Sequence, residues 1–190
     1  MNGDWIMYIE PKDSRQRYTK RCLIDAFLDA LETKQVSDIT VSEISEASGI
    51  SRKTFYKYYS DPFALLAALE EDLFVGFTRE LETLPPVIFD ITPALIKFSD
   101  RHRILMRSVF ENQREDGFID QVMKYLYAAY HVEWENNNPL MAKHDVEYLF
   151  QYIVTGLIGI IRFWLLNDPE LPAEELIEKA NFLMALSEPK

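Results

Sequence analysis

Residues 40–58 contain two short helical segments on either side of one glycine, and this layout constrains the fold more than any other feature of the sequence. Thr40 precedes the first segment and Glu43 follows three residues later, which is the spacing of a capping box. Gly49 stands where a left-handed residue usually ends a helix, and Ser51 can cap the next segment. Two short helices joined by such a turn indicate a helix-turn-helix, a unit that can place its second helix in the major groove of DNA.

The rest of the chain also has the spacing of helices. Apolar residues recur three and four positions apart in residues 15–31, and a fourth helix is expected to begin at Asp61-Pro62 and to end at Pro85-Pro86. Further helices are expected after Thr92-Pro93, Asp100 and Gly117, and the last two over residues 145–167 and 173–186. Because no strand-like alternation of any length occurs, the sequence predicts an all-α fold.

The charge of the chain is unevenly distributed. The formal net charge is −11, yet residues 1–60 hold nine Lys/Arg and nine Asp/Glu, whereas residues 61–190 hold 11 and 22. DNA binding requires a local cationic face and not a basic protein, so the acidic total does not exclude it. The single cysteine, Cys22, excludes an internal disulfide and a cysteine-based zinc cluster. We expect neither a metal nor a cofactor.

The second short helix has a cationic face. Its residues Arg52 and Tyr56, like Lys53 and Lys57, are four positions apart, so the four side chains share one surface that contains no acid. Residues expected to pack on the opposite side and against the first helix are Val41, Ile44, Ala47, Ile50 and Phe55. The alternative is a solvated helix face whose charges bind no partner.

Residues 39–59, with the sequence ITVSEISEASGISRKTFYKYY, resemble the signature of the TetR/AcrR (tetracycline-repressor) family of transcription regulators. That family has Thr before its second helix, Ile and then Ala within it, Gly-Val/Ile-Ser at the turn, and then Thr-Leu/Phe-Tyr followed by an aromatic pair. The resemblance covers roughly residues 15–70, and the remainder is similar only in helical layout. It implies a three-helix DNA-binding domain in residues 1–60 and a helical ligand-binding and dimerisation domain in residues 61–190. Helix 4, about residues 62–84, would connect them.

The resemblance assigns the DNA contacts to eight residues. Hydroxyls would bind phosphates of a double-stranded operator, and the cations would reach bases or backbone. These residues are Thr40, Ser51, Arg52, Lys53, Thr54, Tyr56, Lys57 and Tyr58. The chain departs from the family at the start of helix 4, where Asp61 and Pro62 replace a common lysine and oppose a phosphate contact. The cations Lys12, Arg15, Arg17 and Lys20 would compensate, or they are merely solvated.

The resemblance also implies a homodimer, in which the last two helices of each chain form a four-helix bundle. Glycine costs about 1 kcal/mol against alanine inside a helix, and close approach of a partner helix would offset that cost. The expected interface residues are Gly156, Gly159, Ile160, Phe163, Leu176, Ala180 and Leu183. The alternative is ordinary packing within one chain.

A small-molecule effector is the third implied partner, in a pocket among the helices of residues 92–166. The candidate residues are His102, Met106, Phe110, Met123, Tyr127, Tyr130, Trp134, Tyr148, Tyr152 and Arg162. Methionine and aromatic residues at helical spacing are also typical of an ordinary core. Arg162, in an apolar helix, could instead pair with an acid or face solvent.

Other classes of protein fit the sequence less well. The most apolar run, residues 153–166, has 14 residues, whereas a membrane span needs about 20; with no secretory signal found, a cytoplasmic protein is expected. The histidines lie apart, and no HExxH pattern, nucleophile elbow or phosphate loop occurs, so no enzyme is predicted. The prediction is an operator-binding repressor released by its effector. An activator of the same fold, or a helical interaction module without operator binding, is the alternative.

Overall fold

The structure is a computed structural model that describes residues 13–84, 88–137 and 142–186. Within these residues the chain forms nine α-helices and no strand, which confirms the predicted all-α fold. The helices are α1 Ser14–Leu31, α2 Val41–Ser48, α3 Arg52–Phe55, α4 Pro62–Leu81, α5 Ile88–Arg101, α6 Arg103–Glu111, α7 Phe118–Asn137, α8 Lys143–Asn167 and α9 Ala173–Leu186.

The described chain folds into two compact units. The first contains the chain up to Gly76 together with Ile104–Phe118, and the second contains Phe77–Arg103 together with the chain from Ile119 onward. The first unit is therefore discontinuous in sequence. These units are defined by packing, whereas the expected division at residues 60 and 61 concerns function and stays a prediction.

Local signals set the helices of the first unit. Asp13 caps α1, because its carboxylate accepts from the backbone N–H of Arg15 at 2.7 Å and of Gln16 at 3.3 Å. Leu23 and Phe27, four residues apart, are fully buried on the face of α1 that lies toward the core, and α1 packs on α2. This packing holds the short helices α2 and α3 in place.

The second unit is built around α5, α8 and α9, which pack on one another. Five buried residues of α8 follow one another at intervals of four, four, three and four, and so face the core: Val146, Phe150, Val154, Leu157 and Ile161. At the end of α8, the indole Nε1 of Trp164 donates to the carbonyl of Leu171 at 2.8 Å, and the guanidinium of Arg103 lies 4.3 Å from the indole ring. These contacts fix the turn from α8 to α9.

Several helix boundaries differ from the sequence prediction; helix 4, for example, ends at Leu81 and not near residue 84. The helix expected after Thr92-Pro93 begins earlier, at Ile88, with Pro93 inside it; the fixed φ of proline is helical, so a proline removes one hydrogen bond without excluding a helix. The helix expected over residues 52–58 is α-helical only to Phe55. Beyond it, the N–H of Lys57 binds the carbonyl of Thr54 and the N–H of Tyr58 binds that of Phe55, which are the tighter bonds of a 3₁₀ turn.

The stretch His144–Asn167 of α8 is long and apolar enough to cross a membrane, and among the described residues no other stretch passes that test. This stretch is longer than the apolar run of residues 153–166, because it also includes the more polar residues at the start of α8. A core helix in a soluble protein passes the same test, and α8 packs on α5 and α9. Length and composition are therefore weak evidence for a membrane span.

Candidate functional site

The N-terminus of α2 has the predicted capping box. The hydroxyl oxygen of Thr40 accepts from the N–H of Glu43 at 3.2 Å, and the Glu43 carboxylate accepts from the N–H of Thr40 at 2.8 Å. The Thr40 hydroxyl also lies 2.8 Å from that carboxylate, and Lys34 Nζ lies 2.5 Å from its other oxygen. The ammonium of Lys34, followed by the two groups of Thr40, lowers the pKa of the Glu43 carboxyl to about 2. Thr40 and Glu43 therefore fix where α2 begins.

The turn between α2 and α3 is set by Gly49 and Ser51. Gly49 has a φ of +69°, in the left-handed region, and its N–H binds the carbonyl of Glu46. Ser51 then caps α3, because its hydroxyl oxygen accepts from the N–H of Thr54 at 3.2 Å. Both roles match the sequence prediction, and together they determine the direction in which α3 leaves the turn.

The cationic face of α3 lies on the surface. Arg52, Lys53, Tyr56 and Lys57 are exposed, whereas Phe55 between them is fully buried and contacts the rings of Tyr56 and Tyr59. Phe55 anchors the short helix, and its neighbours face solvent. The four residues predicted for the reading face are therefore all exposed.

Two lysines lie beside the ring of Tyr58. Lys57 Nζ lies 5.7 Å and Lys20 Nζ 5.9 Å from the centre of its ring, and Lys20 is also 6.0 Å from the ring of Tyr59. Aromatic rings attract cations at such distances. Of the cations expected to compensate for the missing lysine, Lys20 of α1 is thus held beside the α3 surface, and Lys12 lies outside the described residues.

Some predicted contact groups already have partners within the protein. The Thr40 hydroxyl both accepts from and donates to Glu43, and the Ser51 and Thr54 hydroxyls lie 2.9 Å apart. Arg52 donates from Nη1 to the hydroxyl of Ser42 at 3.2 Å, which leaves other donors of its guanidinium for a nucleic acid.

An acid caps α4, four positions after Lys57 in the chain. The carboxylate of Asp61 accepts from the N–H of Ala64 at 2.8 Å and from the hydroxyl of Ser60 at 3.0 Å. A carboxylate at this position occupies the helix end that could otherwise bind phosphate.

The second unit contains a small, partly open void among α5, α7 and α8. Its volume is about 10 Å³, enough for one water, and its walls are apolar. The lining residues are Ile91, Leu95, Leu126, Tyr130, Phe150, Val154 and Leu157.

The predicted effector residues of the second unit whose side chains the structure describes do not all line the void. Tyr130 lines the void, and Tyr127 contacts the ring of Phe150, which also lines it. His102, Met106 and Phe110 are buried, Met123 is half-buried, and Tyr148, Tyr152 and Arg162 are exposed on α8; the Trp134 side chain lies outside the described residues. Burial, and then the neighbouring Arg101, lower the pKa of His102 to about 4, so it is neutral near pH 7. The exposed residues lie on the face of α8 that points away from the void.

An open groove runs between α8 and α9. Its volume is about 420 Å³, and it is lined by Tyr152, Ile153, Gly156, Leu157, Ile160, Ala180, Leu183 and Met184. Gly156 and Gly159 are exposed, and a Cβ built on either would meet no heavy atom within 4 Å. Neither glycine is therefore required by packing within the described residues of the protomer.

The predicted dimer residues fall into two groups. Gly156, Gly159, Phe163 and Leu183 are exposed and Ile160 is half-buried, whereas Leu176 and Ala180 are buried within the protomer. Leu176 and Ala180 are covered by their own chain, although Ala180 also lines the open groove. Three further large apolar residues, Tyr148, Tyr152 and Phe182, are each about two-thirds exposed on the same two helices.

Comparison with known proteins identifies the chain. Residues 88–185, slightly more than half of it, match a TetR family whose description is "Transcriptional regulator C-terminal region". The chain belongs to the TetR family of transcriptional regulators. The members of this family are DNA-binding regulators and not enzymes, in agreement with the sequence prediction.

Two curated relatives support the assignment of this TetR-family protein. The chain is 37% identical over 59 residues to the HTH-type transcriptional regulator EthR of Mycolicibacterium smegmatis, covering 29% of this chain and 27% of EthR. It is 25% identical over 176 residues to YxbF, an uncharacterized HTH-type transcriptional regulator of Bacillus subtilis, covering 82% of this chain and 42% of YxbF. The matches thus span less than half the length of either relative.

A TetR-family regulator from Streptomyces coelicolor shares the fold. Its crystal structure superposes with a TM-score of 0.62 at 18% identity, covering 89% of this chain and 81% of that one. At this identity the likeness concerns the fold alone.

Sequence reasoning missed the inward face of α8 in this TetR-family protein. It selected Tyr148 and Tyr152 because they are aromatic, whereas Phe150 and Val154, two positions away, line the void. The apolar residues from Val146 to Ile161 at intervals of three and four are a signal for this face, but other apolar residues of α8 give a competing one.

Proposed function

We propose that this regulator binds a near-palindromic operator as a homodimer, that it represses transcription in the bacterial cytoplasm, and that a small molecule releases it. The observation that carries the proposal is the exposed face of Arg52, Lys53, Tyr56 and Lys57 on a short helix anchored by the buried Phe55. Cations fixed on such a helix can contact phosphates and base edges in the major groove.

Selection of binding sites from random DNA tests operator binding. Two symmetric half-sites should emerge, separated by about one helical turn or a multiple of it. Arg52→Ala should relax discrimination at one half-site position by about 1–3 kcal/mol. If Lys57 meets phosphate, Lys57→Ala should weaken all sequences alike and reduce the salt slope by about one unit per chain.

The matched control replaces Lys97, an exposed lysine of α5, by alanine, and it should change neither affinity nor salt slope. Unchanged binding in both the Arg52 and Lys57 variants would mean that α3 is not the reading helix. Transcription from a promoter that carries the selected site gives the sign of regulation, and we expect the transcript to decrease when the protein is added. An increase would instead identify an activator.

The exposed apolar residues of α8 and α9 support the proposed dimer. Phe163 and Phe182 are 62% and 64% exposed, and the open groove beside Gly156 lies on the same two helices. Clusters of exposed large apolar residues are typical of protein interfaces. In a twofold dimer the same patch from both chains would close this surface.

The apolar void supports the proposed effector site. Because it holds only about one water, an effector must displace side chains of α5, α7 or α8 to enter, and binding would then favour a different conformer. An uncharged apolar ligand fits such walls, so uncharged compounds should raise the melting temperature more than charged analogues of equal size. Equal or greater stabilisation by the charged analogues would contradict this assignment.

A further inference from the structure

A buried carboxylate joins two distant parts of the first compact unit. Glu70 lies on α4 and is 2% exposed, next to the buried Leu69 and near the buried Asp72 and Leu73. Its Oε2 accepts from Arg114 Nη2 at 2.9 Å, from Arg114 Nε at 3.3 Å and from the N–H of Phe118 at 3.3 Å. Phe118 is the first residue of α7. One carboxylate oxygen of Glu70, on α4, thus binds both the loop between α6 and α7 and the first residue of α7.

Gly117 allows the loop that carries Arg114 to approach Glu70 closely. A Cβ at that position would lie 3.0 Å from both the Cγ and the carbonyl oxygen of Arg114, and 3.5 Å from the Glu70 carboxylate. The preceding residue, Asp116, has a φ of +58°, in the left-handed region that non-glycine residues rarely adopt. A tight loop and a residue without a side chain therefore let the Arg114 guanidinium and the Phe118 N–H converge on one carboxylate.

The cost of burying the Glu70 charge makes this contact selective. A buried carboxylate without its partner is strongly unfavourable, whereas the same carboxylate with three donors is tolerated. The loop is therefore held to α4 in one arrangement, and other arrangements leave the charge without compensation. Arg114 itself is half exposed, so it can leave the contact without being buried elsewhere.

We propose that Glu70 and Arg114 are positioning residues that couple the segment Ile104–Phe118 to the DNA-binding helices. That segment belongs to the first unit, but the chain continues from both of its ends into residues of the second unit. A change in the second unit that displaces either end would act on the contact between Arg114 and Glu70, and through it on α4. The proposal rests on the proposed operator binding.

The test compares E70Q and R114A with two matched controls in the full-length protein. Glu71→Gln removes the same charge from the next, exposed position of α4, and Arg107→Ala removes an exposed arginine of α6. Each is measured for affinity to the selected operator, at a temperature where melting curves show that it is folded. We expect E70Q and R114A to change that affinity at least about 5-fold with an unchanged salt slope, since the phosphate contacts remain. Both controls should stay within about 2-fold of wild type. The change in affinity caused by Glu71→Gln is the effect of losing one negative charge from α4, and it is subtracted from the change caused by E70Q.

A purely structural role would lower the melting temperature of E70Q and R114A and leave operator affinity at the wild-type value, and that result overturns the proposal. A double variant should show the effect of one substitution and not the sum of two, because both remove one contact. The sign of the change reports whether the joined arrangement binds DNA more tightly. Amide hydrogen exchange at Phe118 gives a readout independent of DNA: it should accelerate in both variants. If wild type binds no operator, the proposed function fails, and unaltered exchange would overturn the coupling separately.

Discussion

Replacing Gly156 by alanine should stabilise an isolated chain and weaken its association with a second copy. Gly156 is exposed within α8, and a Cβ built there meets no heavy atom within 4 Å. Because nothing in the described protomer opposes a methyl group, the substitution removes only the conformational cost of a helical glycine. The free energy of unfolding of the monomer should therefore rise by about 0.5–1 kcal/mol.

In the proposed dimer, a larger side chain at this position should have the opposite effect. Leucine at position 156 would project into the groove between α8 and α9 that we assign to the partner chain. Overpacking a contact costs about 1–3 kcal/mol, which raises the dissociation constant of the dimer about 5- to 150-fold. Alanine should produce a smaller change of the same sign.

Sedimentation equilibrium at several protein concentrations measures the dissociation constant of the dimer. Urea unfolding at concentrations where the monomer predominates measures the free energy of unfolding of the single chain. Lys97→Leu, which adds a leucine to an exposed position of α5, is the control for a general effect of surface leucine. If Gly156→Leu dimerises as tightly as wild type, or if wild type sediments as a monomer at micromolar concentration, this groove is not the dimer contact.

Substitutions at three further positions test local features. The pKa of Glu43 is lowered from 4.5 to about 2, so the stability that it provides is complete above pH 4.5 and is lost as the pH falls towards 2; unfolding free energy should decline over that window more steeply in wild type than in Glu43→Gln. Thr40→Ala should cost about 1 kcal/mol in urea unfolding through loss of the α2 cap, and Thr40→Ser should restore it. Asp61→Asn keeps a cap for α4 and removes an acid from the end of α4 that follows the helix-turn-helix, so operator affinity should increase at low salt.

Each of these has an outcome that contradicts it. Equal pH profiles for wild type and Glu43→Gln would show that the carboxylate does not stabilise α2 through its charge. If the Thr40→Ser protein is no more stable than the Thr40→Ala protein, the hydroxyl at position 40 does not cap α2. Unchanged or weaker operator binding by Asp61→Asn would place the start of α4 away from the phosphates.

The short helices could be predicted from sequence because their signals are local. The bonds between Thr40 and Glu43 span three residues, and so does the bond between Ser51 and Thr54. Gly49 lies at the end of α2, and only its own backbone conformation is needed to place it. Features set within one turn of helix leave little for the rest of the fold to alter.

The orientation of α8 and the role of Glu70 could not be predicted in the same way. Helix α8 is apolar on more than one face, so periodicity does not show whether Tyr152 or Val154 points inward. Glu70 pairs with a residue 44 positions away, and its sequence position resembles that of the exposed Glu71 beside it. Both depend on which distant helices pack together.

Because the first unit is discontinuous in sequence, its two parts are synthesised at different times. Residues up to Gly76 leave the ribosome without Ile104–Phe118, so Glu70 is synthesised before the arginine that neutralises it. At roughly 5–20 residues per second, Phe118 follows Gly76 by roughly 2 to 8 seconds. During that interval the nascent helix-turn-helix has its own caps, but α4 has an uncompensated acid on its inner face. A fragment cut at residue 76 would remain permanently in that state, so a truncated regulator is not equivalent to an isolated DNA-binding domain.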